Sequence, residues 1–445
     1  GCKPSKTFKM SSKLYSTMME PELNVRKDAK EKQFDWNKQW YPIAVEEYVD
    51  SSKAHNIMFL GNDCVLWNSN GTWSFLDDKC PHRGVPLSEG RVESNGELLC
   101  SYHAWTFDKE GQCTSIPQTE SKLKEDTIKT STKACVKQYP LRIEQGLIWA
   151  WGESGHINSD VFLEAAIKQP RLIEELTDHE YEGRILPVTY NYRDLPYGWD
   201  MFLENVLDPA HVVVSHHGIV GNRYNDPAHL KVTKVLSRSE IPVKEGGELI
   251  EGHEEDAGFK HIIEMPSRKE SILGEKGNVD SNDFRPPCLQ KITTEYPSGA
   301  KLILALYATP TKPGYCRHIG AQVLIKDKEG KVPKGLGMFA LPMPKWLLHS
   351  TASLFLHQDQ VFLHHQERTL YEDGYAFGDF SNDPILASKV SSDPAIYAKS
   401  YYMPNEHDKQ ITALRRWIHN KAGGGVPWGK AALWCIILQK FYMDT

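Results

Sequence analysis

Hydrophobic and polar positions set three textures along the chain. From Phe34 to about Gly152, short runs rich in β-branched and aromatic residues follow one another: NIMFLG, CVLWNS, WSFLD, ELLCSY, AWTFD, ACVKQYPLRIEQ and LIWAWGE. Turn signals such as Ser69-Asn70-Gly71 and Asn95-Gly96 separate them, which predicts a small all-β domain over 34–152. From about Glu153 the pattern mixes. SDVFLEAAIKQPRLIEEL and GWDMFLENVLDPAHVVVSHHG read as helices, and GRILPVTYNY reads as a strand. Strands return through LKVTKVLSR, HIIEMP, KITTEYP, AKLILALYATP and RHIGAQVLIK, and helices close the pattern around Pro344 to Glu372 and Asp408 to Ala422. Antiparallel strands flanked by helices predict an α+β domain over 153–445. The polar stretch from Glu240 to Asp283, with Gly246-Gly247 and acidic residues from Glu251 to Asp256, reads as a long loop or insertion.

Residues 1–33 read as a tail. Up to Met19 they carry Lys3, Lys6, Lys9 and Lys13, many Ser and Thr, and no acidic residue, which fits an organelle transit-peptide remnant or a plain basic tail. No run of 18 apolar residues occurs. The late run from Ala431 to Leu438 reads as a buried or amphipathic helix. With 445 residues, 40% hydrophobic and 25% charged, the chain is globular in composition and long enough for about two to three domains. A net charge of −6 argues against nucleic acid as a partner. Nine irregularly spaced cysteines argue against a disulfide scaffold.

Two cysteines stand apart. Cys80-Pro81-His82-Arg83-Gly84 and Cys100-Ser101-Tyr102-His103 each offer one thiolate and one imidazole from a tight turn. Two Cys and two His can hold zinc. A Rieske [2Fe–2S] cluster takes two Cys on one iron and two His on the other. The alternation of Cys and His within each half, the tight Cys-x-His spacing and the β-rich, aromatic surroundings favour the cluster. Ala104 follows His103 where glycine is usual, and alanine fits there unless its φ is positive.

A second set lies in Glu204 to His217. Asn205, Asp208 and His211 share a helix face if the helix is continuous. His211 and His216, five apart, sit about 140° from each other on such a helix, so they converge only if it distorts or ends between them. Two His and one carboxylate form the facial triad of non-haem iron oxygenases. Asp208 is the local candidate carboxylate, or it accepts the His211 ring N–H. Asp359, in HQDQVFL, is the distant candidate. Trp199, Met201, Phe202 and the run Met338 to Leu348 line a large apolar pocket or form core.

Together the motifs resemble those of the Rieske non-haem iron oxygenases, from about residue 34 onward. The phrases QWYPIAVEEYVD, CPHRGVPLSEGRV, CSYHAWTFD, ENVLDPAHV, HQDQVFLHHQER and YYMPNEHDKQITALRRW, with Gly423 to Trp428, are similar to its pheophorbide a oxygenase and chlorophyllide a oxygenase branch of plants, algae and cyanobacteria. That branch commonly ends in Cys-x-x-Cys and membrane-spanning helices, whereas Cys435 stands alone.

The resemblance implies an all-β Rieske domain followed by a helix-grip catalytic domain. It implies cluster ligands Cys80, His82, Cys100 and His103, mononuclear Fe(II) ligands His211, His216 and Asp359, and Asp208 as an acidic bridge to a neighbouring subunit's cluster. His217 becomes a bystander or pocket residue. Also implied are a ferredoxin or flavin reductase as electron donor, O₂, a large hydrophobic substrate such as a chlorophyll-derived tetrapyrrole, and a homotrimer. The location would be a chloroplast envelope or thylakoid surface, with peripheral membrane contact, or the cytoplasm in a prokaryote. Alternatives are a flavone or sterol oxygenase, and a redox carrier or sensor that uses the cluster alone.

Overall fold

The computed structural model describes residues 33–219, 221–227, 229–237, 243–245, 248–250, 258–264, 278–333, 336–337, 344–377 and 394–430. The tail, the late apolar run and Met338 to Met343 lie outside them.

The N-terminal strands are β1 (Trp40–Val45), β2 (His55–Phe59), β3 (Asn62–Ser69), β4 (Thr72–Asp77), β5 (Arg91–Val92), β6 (Leu98–Leu99), β7 (Thr106–Phe107), β8 (Cys113–Ser115), β9 (Leu141–Glu144) and β10 (Leu147–Trp151). They form three small antiparallel sheets, ordered β1-β10-β9, β2-β3-β4 and β5-β6-β7-β8. The apolar runs become fully buried strands, as in β1 and β10. One feature departs from the all-β expectation. Lys122–Lys129 forms a helix, α1, started by Ser121, whose side chain accepts from Lys124 N. It buries no residue, so it carries almost no apolar signal in the sequence.

Helix α2 covers only Asp160–Ile167 of the longer helix expected there. Pro170 follows, and proline cannot continue a helix. The later elements are β11 (Thr189–Leu195), helices α3 (Trp199–Leu207) and α4 (Val212–Ser215), and strands β12 (Lys231–Ser237), β13 (Val243–Glu245), β14 (Glu248–Ile250), β15 (Phe259–Glu264), β16 (Val279–Arg285), β17 (Leu289–Glu295), β18 (Lys301–Lys312) and β19 (Tyr315–Ile325). Helices α5 (Lys345–Phe377), α6 (Pro394–Ser400) and α7 (Asp408–Asn420) follow. The strand expected at HIIEMP is β15, but the rest of the expected loop over 240–283 instead holds the paired strands β13 and β14 and most of β16. Its acidic composition hid strands that satisfy their backbone by pairing.

Seven strands make one antiparallel sheet, ordered β11-β19-β18-β17-β16-β15-β12. One face meets the N-terminal part through polar anchors. Tyr307 Oη donates to Arg171 O (2.8 Å), Thr309 Oγ1 to Pro42 O (2.7 Å), Arg317 Nη1 to Ile43 O (3.0 Å) and Tyr190 Oη to Gln145 O (2.7 Å). The other face meets helices. Phe202 of α3 lies 4.7 Å from His318, and Trp417 of α7 lies 5.0 Å from Phe284. Trp199, Met201 and Phe202, offered above as pocket or core, are at most 4% exposed and belong to this core.

A buried ionic knot joins the helices. Arg415 of α7 donates to Asp200 (2.7 Å) and to Glu204, both on α3. Tyr397 of α6 donates to Glu204 at 2.9 Å. Glu367 of α5 accepts from Gly198 N at 2.9 Å. A Cβ at residue 198 would lie 2.6 Å from Asp200 Oδ1 and 2.7 Å from Glu367 Oε1, so a side chain there would displace both carboxyl groups. Three carboxyl groups thus surround one guanidinium away from water. Burial, and then the charge of Asp200, push Glu367 up to about 8 from an ordinary 4.5.

That shift sets a sign. An unfolded Glu367 loses its proton near 4.5 and the folded one only near 8, so the folded chain holds the extra proton between. Its stabilising contribution is complete below 4.5 and lost as pH rises towards 8. Thermal midpoints should fall between pH 5.5 and 8.5, and Glu367→Gln should flatten that slope. Arg415→Met should destabilise by about 3–5 kcal/mol in denaturant titrations, because it strands the carboxylates without a partner.

Candidate metal centres

The two Cys/His segments fold into loops with the same backbone bonds. Cys80 N donates to Val85 O (2.8 Å) and Gly84 N to Cys80 O (2.8 Å). In the second loop Cys100 N donates to Trp105 O (2.9 Å) and Ala104 N to Cys100 O (3.0 Å). Gly84 has φ +75° and Ala104 has φ +57°. The condition under which alanine fits less well is therefore met: Ala104 is in the left-handed region that its matching position, Gly84, adopts freely.

Both thiols are buried, at 2% and 1% exposed, and the imidazoles lie nearer solvent. Burial and then hydrogen bonding with Cys100 raise Cys80 to about 11, so its thiolate form needs a bound metal's positive charge. The rings of His82 and His103 stand 4.5 Å apart. Trp105 stacks on His82 at 4.9 Å and 4°, and Tyr102 packs on His103 at 3.9 Å. The donor set of two thiols inside and two imidazoles outside fits a [2Fe–2S] cluster with unlike irons. His211, His216 and Asp359 bring one ligand atom each within 4.8 Å of one another, close enough for a single ion.

The second set forms because the expected continuous helix breaks. Helix α3 ends at Leu207, and Asp208 is extended (φ −92°, ψ 100°). Pro209 is the cause, since a residue before proline avoids the helical region. Asp208 therefore does not share a helix face with Asn205 and His211. The short α4 restarts after His211 and ends before His216. This bend turns both rings towards α5. Asp359 Oδ2 lies 3.2 Å from His216 Nε2 and 3.6 Å from His211 Nε2. Donors about 2.0–2.2 Å from one metal, spread by 90–110°, lie about 3.0–3.5 Å apart, so the three fit a common ion. His216 Nε2 and Asp359 Oδ1 are buried with no hydrogen-bond partner in the protein, which a bound cation would remedy. Burial alone would raise Asp359, but the facing imidazoles of His211 and then His216 lower it to about 2. Burial disfavours charge on His211, yet Asp359 outweighs it and raises that ring's pKa.

The outer ring nitrogens find carbonyl oxygens. His211 Nδ1 bonds the main-chain oxygen of Asp208, and His216 Nδ1 meets Gln358 Oε1 at 3.0 Å. The Asp208 carboxylate is 4.0 Å from His211 Nδ1 and instead accepts from Ala210 N at 2.9 Å. His217 turns away and accepts from Arg223 N at 3.2 Å. Gln358 and Phe355, whose ring stacks on His216 at 3.6 Å, were not singled out from the sequence. Their signal was the i, i+3, i+4 spacing of Phe355, Gln358 and Asp359 on one helix.

The Rieske [2Fe-2S] domain family matches residues 39–140, and the family described as Pheophorbide a oxygenase matches residues 284–375. The chain is 31% identical over 432 residues to flavonoid 8-hydroxylase 2, chloroplastic, of Ocimum basilicum, covering 92% of this chain and 70% of that protein. It is 28% identical over 423 residues to pheophorbide a oxygenase, chloroplastic, of Arabidopsis thaliana, covering 92% and 68%. The crystal structure of dicamba monooxygenase bound to dicamba shares the fold, with TM-score 0.57, 17% identity, and 87% and 99% coverage. The chain belongs to the Rieske non-haem iron oxygenases. Within them it groups with the chloroplast proteins that include pheophorbide a oxygenase. The family's cofactors are a Rieske cluster and a mononuclear iron, and both donor sets described above fit them.

Two outcomes check these sites. Ala104→Gly should stabilise the protein by about 1 kcal/mol with the cluster's visible spectrum unchanged, read in a thermal melt. Asp359→Ala should lose the mononuclear iron in metal analysis while the cluster's iron and sulfide remain.

Proposed function

We propose that the chain is a plastid oxygenase that takes electrons from a ferredoxin or flavin reductase and oxygenates a chlorophyll-derived tetrapyrrole. One observation carries the reading. A largely buried His211, His216, Asp359 triad, with only His211 half-buried, stands in the same chain as a Cys/His cluster motif, and Asp359 falls within the 284–375 match to pheophorbide a oxygenase. A carrier that used only the cluster would have no need of the triad.

In this reading residues 34–152 are the cluster domain, with Cys80, His82, Cys100 and His103 as ligands. Residues 153–445 are the catalytic domain, with His211, His216 and Asp359 on iron. The bound cluster supplies single electrons, and the bound iron supplies the positions where O₂ is activated. His211 and His216 remain neutral ligands by donating Nδ1–H to carbonyl oxygens, and Asp359 brings the one negative charge. The fully buried ring of His216 keeps water from its side of the centre.

Asp208 acts between copies. Its carboxylate is partly exposed and close to His211, so it can also accept the N–H of an imidazole offered by a neighbouring copy. His82 is exposed, with Tyr102 53% exposed beside His103, which gives the cluster loops an accessible tip. Both features support a homotrimer in which one cluster tip meets the next copy's Asp208. Among the described residues no helix is long and apolar enough to cross a membrane. The association proposed is peripheral, at an envelope or thylakoid surface. The identity to flavonoid 8-hydroxylase 2 supports a second reading, in which the substrate is a flavonoid.

Anaerobically reduced protein should be mixed with O₂ and, separately, pheophorbide a, chlorophyllide a, protochlorophyllide a and a flavone. Mass spectrometry should show a gain of oxygen in one tetrapyrrole. Oxygen gain by the flavone alone would establish the second reading, and cluster oxidation without any product would favour the carrier. Asp208→Asn should keep normal iron and cluster content but slow product formation at least about tenfold. Undiminished turnover would remove Asp208 from electron transfer.

A further inference from the structure

Each triad imidazole has a second nitrogen, and the two are held differently. His211 is held by a main-chain oxygen three residues before it, so its clamp comes with the Asp208–Pro209 bend. His216 has no such local partner. Its Nδ1 meets the side-chain Oε1 of Gln358, 142 residues away, at 3.0 Å. The ring is fully buried, and its Nε2 is directed at Asp359 with no other protein partner.

Nε2 can bind a cation only through its lone pair, so the ring hydrogen must sit on Nδ1. Nδ1–H then needs an acceptor, which fixes the orientation of the Gln358 amide, with oxygen rather than nitrogen facing the ring. Phe355 covers the face of the same ring at 3.6 Å and 21°. One stretch of α5 thus supplies the carboxylate, the tautomer-fixing acceptor and the stacking surface. These are Asp359, the adjacent Gln358 and, about one turn earlier, Phe355.

We propose that Gln358 is a positioning residue of the mononuclear centre, resting on the reading of His211, His216 and Asp359 as metal ligands. It holds His216 in the Nδ1–H form with Nε2 aimed at the position shared with Asp359. It also does so without charge. A carboxylate acceptor would draw the Nδ1 proton and make the imidazole more basic. A carboxamide leaves Asp359 as the one anionic side chain on the metal position. The two histidine clamps are then equivalent in charge, since both acceptors are neutral carbonyl oxygens.

The test uses the full chain with its cluster in place. Fe(II) affinity is measured by competition with a chromogenic chelator, and the ligand field by the visible absorption of Co(II) bound in place of Fe(II). Cluster absorbance and thermal midpoint report folding. Gln358→Met keeps the length and removes the acceptor, and Gln358→Glu keeps an acceptor and adds charge. Gln358→Met should weaken Fe(II) binding about 10–100-fold and alter the Co(II) bands with the cluster spectrum intact. Gln358→Glu should recover the affinity but with Co(II) bands displaced from the wild type. Wild-type affinity and Co(II) bands in both variants would overturn the proposal and leave the triad reading standing. If the wild type bound no Fe(II) or Co(II) beyond the cluster's iron, the triad reading would fall and Gln358's role with it. Should Gln358→Met not fold, Gln358→Glu decides through its Co(II) bands: unchanged bands overturn the proposal.

Discussion

One buried guanidinium holds the helical layer in register. Arg415 reaches from α7 to Asp200 and Glu204 on α3, while Glu367 on α5 accepts from the backbone nitrogen that starts α3. Helices α3 and α5 are the two elements from which the proposed metal ligands extend. His211 and His216 follow the end of α3, and Asp359 lies two turns before Glu367 on α5. A shift of one turn between these helices would move Asp359 by about 5.4 Å, far more than a shared ion allows.

Proline supplies the second constraint. Had the helix continued through residue 209, His211 and His216 would have pointed about 140° apart. Because Asp208 is forced to extend, its carbonyl turns towards the His211 ring and the chain bends back on α5. The same bend leaves the Asp208 carboxylate partly exposed. A single backbone rule thus sets ligand direction, tautomer and the outward acidic group together.

The seven-stranded sheet separates two environments. Its N-terminal-facing side is anchored by hydroxyl and guanidinium groups to main-chain oxygens, which ties the sheet to strand β1 and the segment after β10. Its other side is covered by α3 and α7 with aromatic contacts. The cluster loops need no such cover, because their thiols are buried within their own small sheets.

The sequence by itself determined the chemistry. Cys80, His82, Cys100 and His103 carry short-range spacing that few other functions need, and local turns suffice to build their two matching loops. It also determined the class of most elements, since strand and helix periodicities act over a few residues. It carried the conflict at Ala104 too, but only the backbone showed φ to be positive there. The β13–β14 hairpin and the α1 helix were illegible because composition outweighed periodicity in short polar segments. Tertiary structure alone decided which carboxylate joined the histidines. Asp208 is the nearer in sequence, yet the bend turns its side chain aside and the helix register delivers Asp359. Tertiary structure alone also placed Gln358 on His216. Those partners lie far apart along the chain, and what brings them together is the packing of α5 against α3, a contact that no local pattern encodes.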